Sequence, residues 1–140
     1  MRRLMVGTIL GGLALTGCSN ELKGSIQVTA AGQSWSVMPS ECASGQRQNF
    51  FGVDAREGSS DDKLVRVILD PKASYTLHLN VPGANKGINL EGAGCSTFDI
   101  VVERQSSSIN DITNVQGHIR VACDLPDLEV KADLTFSNCH

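Results

Sequence analysis

"SYTLHLNV", residues Ser74–Val81, alternates without a break: Tyr75, Leu77, Leu79 and Val81 fall on one side, and Thr76, His78 and Asn80 on the other. A period of two sends successive side chains to opposite faces of an extended chain, so this stretch is predicted to be a strand with one face in a core. Just before it, "KLVRVIL" (Lys63–Leu69) is apolar on both faces at Leu64, Val65, Val67, Ile68 and Leu69. That is the pattern of a central strand, and Asp70-Pro71 stops it because proline cannot donate to a ladder.

The same reading extends in both directions. "SIQVTA" (Ser25–Ala30) and "QSWSVM" (Gln33–Met38) flank Ala31-Gly32 and predict an opening hairpin. "NFFGVDA" (Asn49–Ala55), "GINLEG" (Gly87–Gly92), "TFDIVVE" (Thr97–Glu103), "VQGHIRVAC" (Val115–Cys123) and "LEVKADLTF" (Leu128–Phe136) complete the set. No segment past residue 23 carries a helical stripe, and no proline falls inside a strand. About eight or nine short strands with turn residues between them predict an all-β domain, an antiparallel sandwich or a jelly-roll-like barrel.

Register constrains the cysteines. Pairing of 98–104 with 115–121 through "QSSSINDITN" (Gln105–Asn114) sets Phe98 opposite Val121 and Ile100 opposite Ile119. Cys95 then falls beside Asp124, one residue from Cys123, and strict alternation puts the two thiols on opposite faces. A bulge at Gly94 or Cys95 would bring them together. Pairing of 115–123 with 128–138 through "DLPDL" (Asp124–Leu128) puts Cys139 opposite Asn114, about 30 Å from Cys123 at ~3.3 Å per residue. Cys95–Cys123 with Cys42–Cys139 is therefore the preferred pairing, each bridge contributing on the order of 2–4 kcal/mol. Zinc ligation needs close pairs such as C-x₂-C, whereas these four cysteines are spaced 53, 28 and 16 residues apart.

The first twenty residues have a different character. Arg2 and Arg3 precede an apolar run from Leu4 to Leu15, and no acidic residue occurs before Glu21. A basic start, a short apolar core and small residues at its end make a secretory signal peptide over 1–17; the run is shorter than the roughly 20 residues that span a bilayer. Its ending, Leu15-Thr16-Gly17-Cys18, resembles the lipobox of bacterial lipoproteins. That resemblance implies cleavage before Cys18, a diacylglycerol on its thiol and an acyl chain such as palmitate on its new amino group. Two or more chains hold a protein stably on a membrane. Ser19 and Asn20 replace the aspartate that the resemblance associates with inner-membrane retention, so an outer-membrane location is expected. Residues 18–23 would then be the lipidated cysteine and a short tether, and 24–140 the folded domain.

Loss of Arg2 and Arg3 with the leader leaves ten basic residues against 15 acidic ones, a net charge of −5. Such a balance argues against nucleic acid as a partner, since its phosphates select basic surfaces. No G-x-S-x-G elbow and no H-E-x-x-H occurs, so no catalytic residue is assigned. His78 and His118 occupy outward strand positions, where histidine is usually solvated, and His140 ends the chain. "DAREGSSDDK" (Asp54–Lys63) gathers Asp54, Glu57, Asp61 and Asp62, oxygen ligands of the kind calcium prefers, but off the spacing of a calcium loop. Phe50-Phe51 could form an exposed patch. Burial of one or both rings is the preferred reading, because the chain has only four Phe, one Trp and one Tyr to fill its core.

The cadence Cys42-x-Ser44-Gly45-Gln46, Phe50-x-Gly52-Val53-Asp54, Gly117-His118-Ile119-x-Val121-x-Cys123 and Phe136-Ser137-Asn138-Cys139-His140 resembles small lipoproteins of myxobacterial type. That resemblance implies no activity. The expectation is an outer-membrane lipoprotein acting as a non-catalytic binding or structural module close to the bilayer. It needs no cofactor beyond the lipid on Cys18. The alternatives are an accessory subunit with an envelope protein partner, and a calcium-dependent carbohydrate binder or hydrolase.

Overall fold

The computed structural model describes residues 19–140; the expected signal peptide and Cys18 lie outside the described residues. The alternating stretch around Leu77 is β6 (Tyr75–Leu79), with Leu77 and Leu79 fully buried as the pattern requires. It sits in a meander with β3 (Glu41–Ser44), β4 (Gly52–Arg56), β5 (Leu64–Leu69) and β7 (Ile88–Leu90), in the spatial order β3-β4-β5-β6-β7. A second sheet runs β2-β1-β10-β9-β8, from β1 (Glu21–Ala30), β2 (Gln33–Val37), β8 (Cys95–Ile109), β9 (Ile112–Leu125) and β10 (Leu128–Cys139). All pairs are antiparallel, and the two sheets make a β-sandwich.

Every hydrogen-bonded neighbour is also a neighbour in sequence, except that the first strand pairs with the last. The connectivity is therefore a meander folded in two, not the jelly roll held open by the sequence. Short links between adjacent strands keep loop-closure costs small. Ala31 and Gly32, and Asn110 and Asp111, all take positive φ in two-residue hairpin turns, whose twist matches that of the flanking strands. Tyr75 links the sheets near one edge: its hydroxyl accepts from the Val102 amide at 3.0 Å.

The structure has ten strands, one more than predicted. The addition is β3, "ECAS", too short and too small in its side chains to show an apolar period. β1 starts at Glu21, opposite Ser137, so the folded domain begins three residues before the expected residue 24. The serine-rich stretch read as a long turn is mostly strand, with only Asn110-Asp111 left to turn. Ser108 pairs with Thr113, which overrides the weak strand preference of serine, while Gln105, Ser106 and Ser107 bulge out of the ladder opposite Asn114.

Phe98 lies opposite Val121 and Ile100 opposite Ile119, as read from the sequence. Cys95 lies opposite Cys123 and Thr97 opposite Ala122, which makes Ser96 the extra residue. The bulge that aligns the thiols is thus at Ser96, not at Gly94 or Cys95. A further irregularity, between Phe136 and Cys139, puts Cys139 opposite Val115 instead of Asn114. The disulfides are Cys42–Cys139, between the sheets, and Cys95–Cys123, within one. The core between the sheets is mainly aliphatic, built on Ile26, Val28, Ile119, Val130 and Leu134 from one sheet and Val53, Val65, Val67, Leu77 and Leu79 from the other, with Phe136 buried among them.

Candidate functional site

Three connections meet at one end of the sandwich: β3–β4 with its 3-10 turn at Gly45–Gln48, β5–β6, and the β8–β9 hairpin. Between them lies a cleft of about 200 Å³ lined by Ser44, Gln46, Phe50, Phe51, Arg104 and Val115. A shallower groove continues from it over Ile68, Leu69 and Pro71.

The sequence produces this geometry locally. Ser44 caps the 3-10 turn by accepting from the Gln46 amide, and Asn49 ends it in the left-handed conformation. That reversal delivers Phe50 and Phe51 to the mouth of the sandwich, both half-buried. Phe51 packs against the core while staying partly exposed, and Phe50 lies outside that cluster, so the preferred reading of burial holds only in part. Each carries a guanidinium over its face: Arg66 lies 4.9 Å from the Phe50 centroid and Arg104 lies 4.8 Å from that of Phe51. Such stacking keeps an apolar ring and a charge together at a wet surface. Gln46 ties the hairpin to this floor, donating from Nε2 to the Asp111 carbonyl at 3.0 Å and accepting from the Thr113 amide at 2.9 Å.

Arg66 anchors a second polar feature on the outer face of its sheet. Its Nε and one terminal nitrogen donate to the two Asp54 oxygens at 2.6 and 2.7 Å, and Gln48 accepts from the same terminal nitrogen at 2.6 Å. Asp54 is only 3% exposed, so this two-point ion pair is what makes its burial tolerable. The Asp54 carboxylate raises the Arg66 guanidinium above its ordinary value, with burial opposing.

The acidic residues proposed for calcium do not form one site. Asp54 is held by Arg66, Asp61 pairs with Arg56 at 3.3 Å, and Glu57 accepts from the Met38 amide at 2.9 Å and from Lys63. Among the described residues, no three His, Cys, Asp or Glu side chains gather to hold a metal ion. The Met38 amide is the main reason the Glu57 carboxyl titrates below its ordinary value of 4.5; burial opposes the shift and Lys63 adds to it. A carboxyl depressed in the fold contributes stability at neutral pH and loses it as pH falls through the folded value. Glu57→Gln is therefore expected to lower the urea midpoint at neutral pH, with the gap to the unsubstituted protein closing as pH falls through the folded value. A gap independent of pH would contradict this.

The histidines are outward but not free. His118 Nε2 lies 2.9 Å from Asp99 Oδ2, and the two His78 nitrogens lie 2.6 and 3.0 Å from the side-chain oxygens of Asn89 and Asn80. His140 differs: it is half-buried and its Nδ1 has no partner among the described residues. The cleft itself was not legible as a site, because its lining comes from three separate stretches of sequence that meet only through the topology. The Ser44-Gly45-Gln46 turn followed by Phe50-Phe51 is the one local signal for it. Compared with known proteins, the chain matches no family model, no curated sequence and no solved structure.

Proposed function

We propose that this protein is a lipid-anchored binding or structural module, carried on the outer membrane by Cys18 and working without catalysis close to the bilayer. The observation that carries the reading is Leu15-Thr16-Gly17-Cys18 after a basic, apolar leader. The structure supplies a suitable body: Glu21 already pairs in the sheet, so only Ser19 and Asn20 lie between Cys18 and the domain. At no more than about 3.6 Å per residue, such a tether keeps the sandwich at the lipid surface. The cleft beside Phe51 and Arg104, with its mixed apolar and cationic lining, supports binding as the role.

An accessory role in an envelope complex fits the same anchor, and Met38, 64% exposed beside edge strand β2, offers an apolar contact for a protein partner. In-cell crosslinking separates the two: a near-stoichiometric partner makes the protein a subunit, and its recovery alone favours a small ligand. Cys18→Ala is expected to move the protein from the membrane fraction to the leader-bearing precursor or the soluble fraction. Unchanged fractionation, with processing intact, would refute the anchor.

A further inference from the structure

We infer that the cleft-bearing end of the sandwich is its membrane-facing end, with the β8–β9 hairpin tip at Ile109 and Ile112 set into the headgroup layer of a phospholipid surface. This rests on the lipid anchor at Cys18. The backbone places the chain exit and the cleft in one row. The β1–β10 ladder begins at Glu21–Ser137, and the Ser19 carbonyl lies 3.5 Å from the Asn138 side chain, next to Cys139; Cys139 lies opposite Val115, and Val115 opposite Arg104. Three strand spacings separate Ser19 from Arg104, about 14 Å.

Side chains lock the exit to the hairpin. Asn138 donates to the Ser19 carbonyl at 3.5 Å and exchanges two hydrogen bonds with Gln105, at 2.8 and 3.1 Å. Asn20 donates to the Cys42 carbonyl at 3.0 Å. These bonds hold Ser19 and Asn20 beside the hairpin end of the sandwich.

From the shared row, one residue leads to Cys18, at most about 3.6 Å. The hairpin runs three residues further from Val115 to Ile112, about 10 Å. The headgroup layer on each side of a bilayer is roughly 5–7 Å thick. The tip thus lies about 6 Å nearer the bilayer than the Cys18 backbone, an offset that the side chain and thioether-linked glycerol of Cys18 bridge, so the tip comes level with the glycerol at the inner boundary of that layer.

The chemistry of the tip agrees. Ile109 and Ile112 face each other across the turn, amid Ser106, Ser107, Ser108 and Thr113, which can hydrogen-bond headgroup oxygens. Asp111 is the one acid of the turn, and Arg104 at the hairpin's base has no carboxylate partner among the described residues. This balance suits zwitterionic headgroups. At the opposite end, Asp124 and Glu129 face each other beside Asp127, a poor surface for lipid phosphates.

The test uses the full-length, membrane-extracted protein with Trp35→Phe, carrying either Ile109→Trp or Pro126→Trp. Each is placed in phosphatidylcholine vesicles with acyl chains brominated near the carbonyl. Ile109→Trp is expected to lose most of its emission to the bromines, and Pro126→Trp, at the far end, almost none. Hydrogen exchange of the unsubstituted protein checks the same point without substitution: amides of 106–113 should slow on vesicles. If intact mass shows the lipid present but the tip is neither quenched nor slowed, the orientation is overturned and the anchor stands. If the mass shows no lipid on Cys18, both fall.

Discussion

Cys42→Ser with Cys139→Ser is expected to lower the unfolding free energy by about 4–5 kcal/mol, the loss that chain entropy assigns to opening a loop of this size. The bridge spans 97 residues and joins the two sheets near the chain exit. Cys139 is fully buried and Cys42 nearly so, so the serine hydroxyls add a desolvation cost. A domain of this size is stable by about 5–15 kcal/mol in total, which makes the loss a large share. Cys95→Ser with Cys123→Ser opens a loop of only 28 residues and should cost less, about 3.5 kcal/mol. Urea denaturation of the two double variants in oxidising buffer gives the order directly. A smaller loss for the inter-sheet pair than for the Cys95–Cys123 pair would contradict the assignment of roles.

Arg66→Met is expected to cost about 3 kcal/mol, because it leaves the Asp54 carboxylate buried without its partner. The apolar stem of methionine retains part of the packing on Phe50, so the loss reports mainly on charge. Adding Asp54→Asn should restore most of it, since no buried charge then remains uncompensated. Denaturation midpoints for the two single variants and the double variant close the cycle. A double variant as unstable as Arg66→Met alone would show that stacking on Phe50, not the ion pair, carries the effect.

The strands that were legible in the sequence are those whose burial is one-sided or complete. Tyr75–Leu79 shows its buried face by alternation, and Leu64–Leu69 shows both faces apolar because it lies in mid-sheet. The register of Phe98 and Ile100 against Val121 and Ile119 followed from the same alternation, and it brought the cysteine pairing within one residue of the observed one. The Ser96 bulge was not legible, because nothing in a serine marks where a ladder inserts a residue. β3 escaped notice since four residues ending in Ala43-Ser44 have too little apolar content to carry a period.

Asp54 shows why the candidate site was only partly legible. Grouped with its chain neighbours Glu57, Asp61 and Asp62, it reads as an acidic loop. Its actual partner is Arg66, directly opposite across the β4–β5 pair. Closing the β4–β5 hairpin through "EGSSDDK" (Glu57–Lys63) sets Asp54 against Arg66. The cleft demands more, because Phe51 meets Arg104 only after the meander doubles back and the last strand pairs with the first.

The most direct test of lipid anchoring is the intact mass of the protein extracted from cell membranes. A chain beginning at Cys18 and carrying a diacylglyceryl group plus an amide-linked acyl chain is the predicted result. A membrane-extracted chain that still begins at Met1, or one that begins at Cys18 with no added mass, would contradict it.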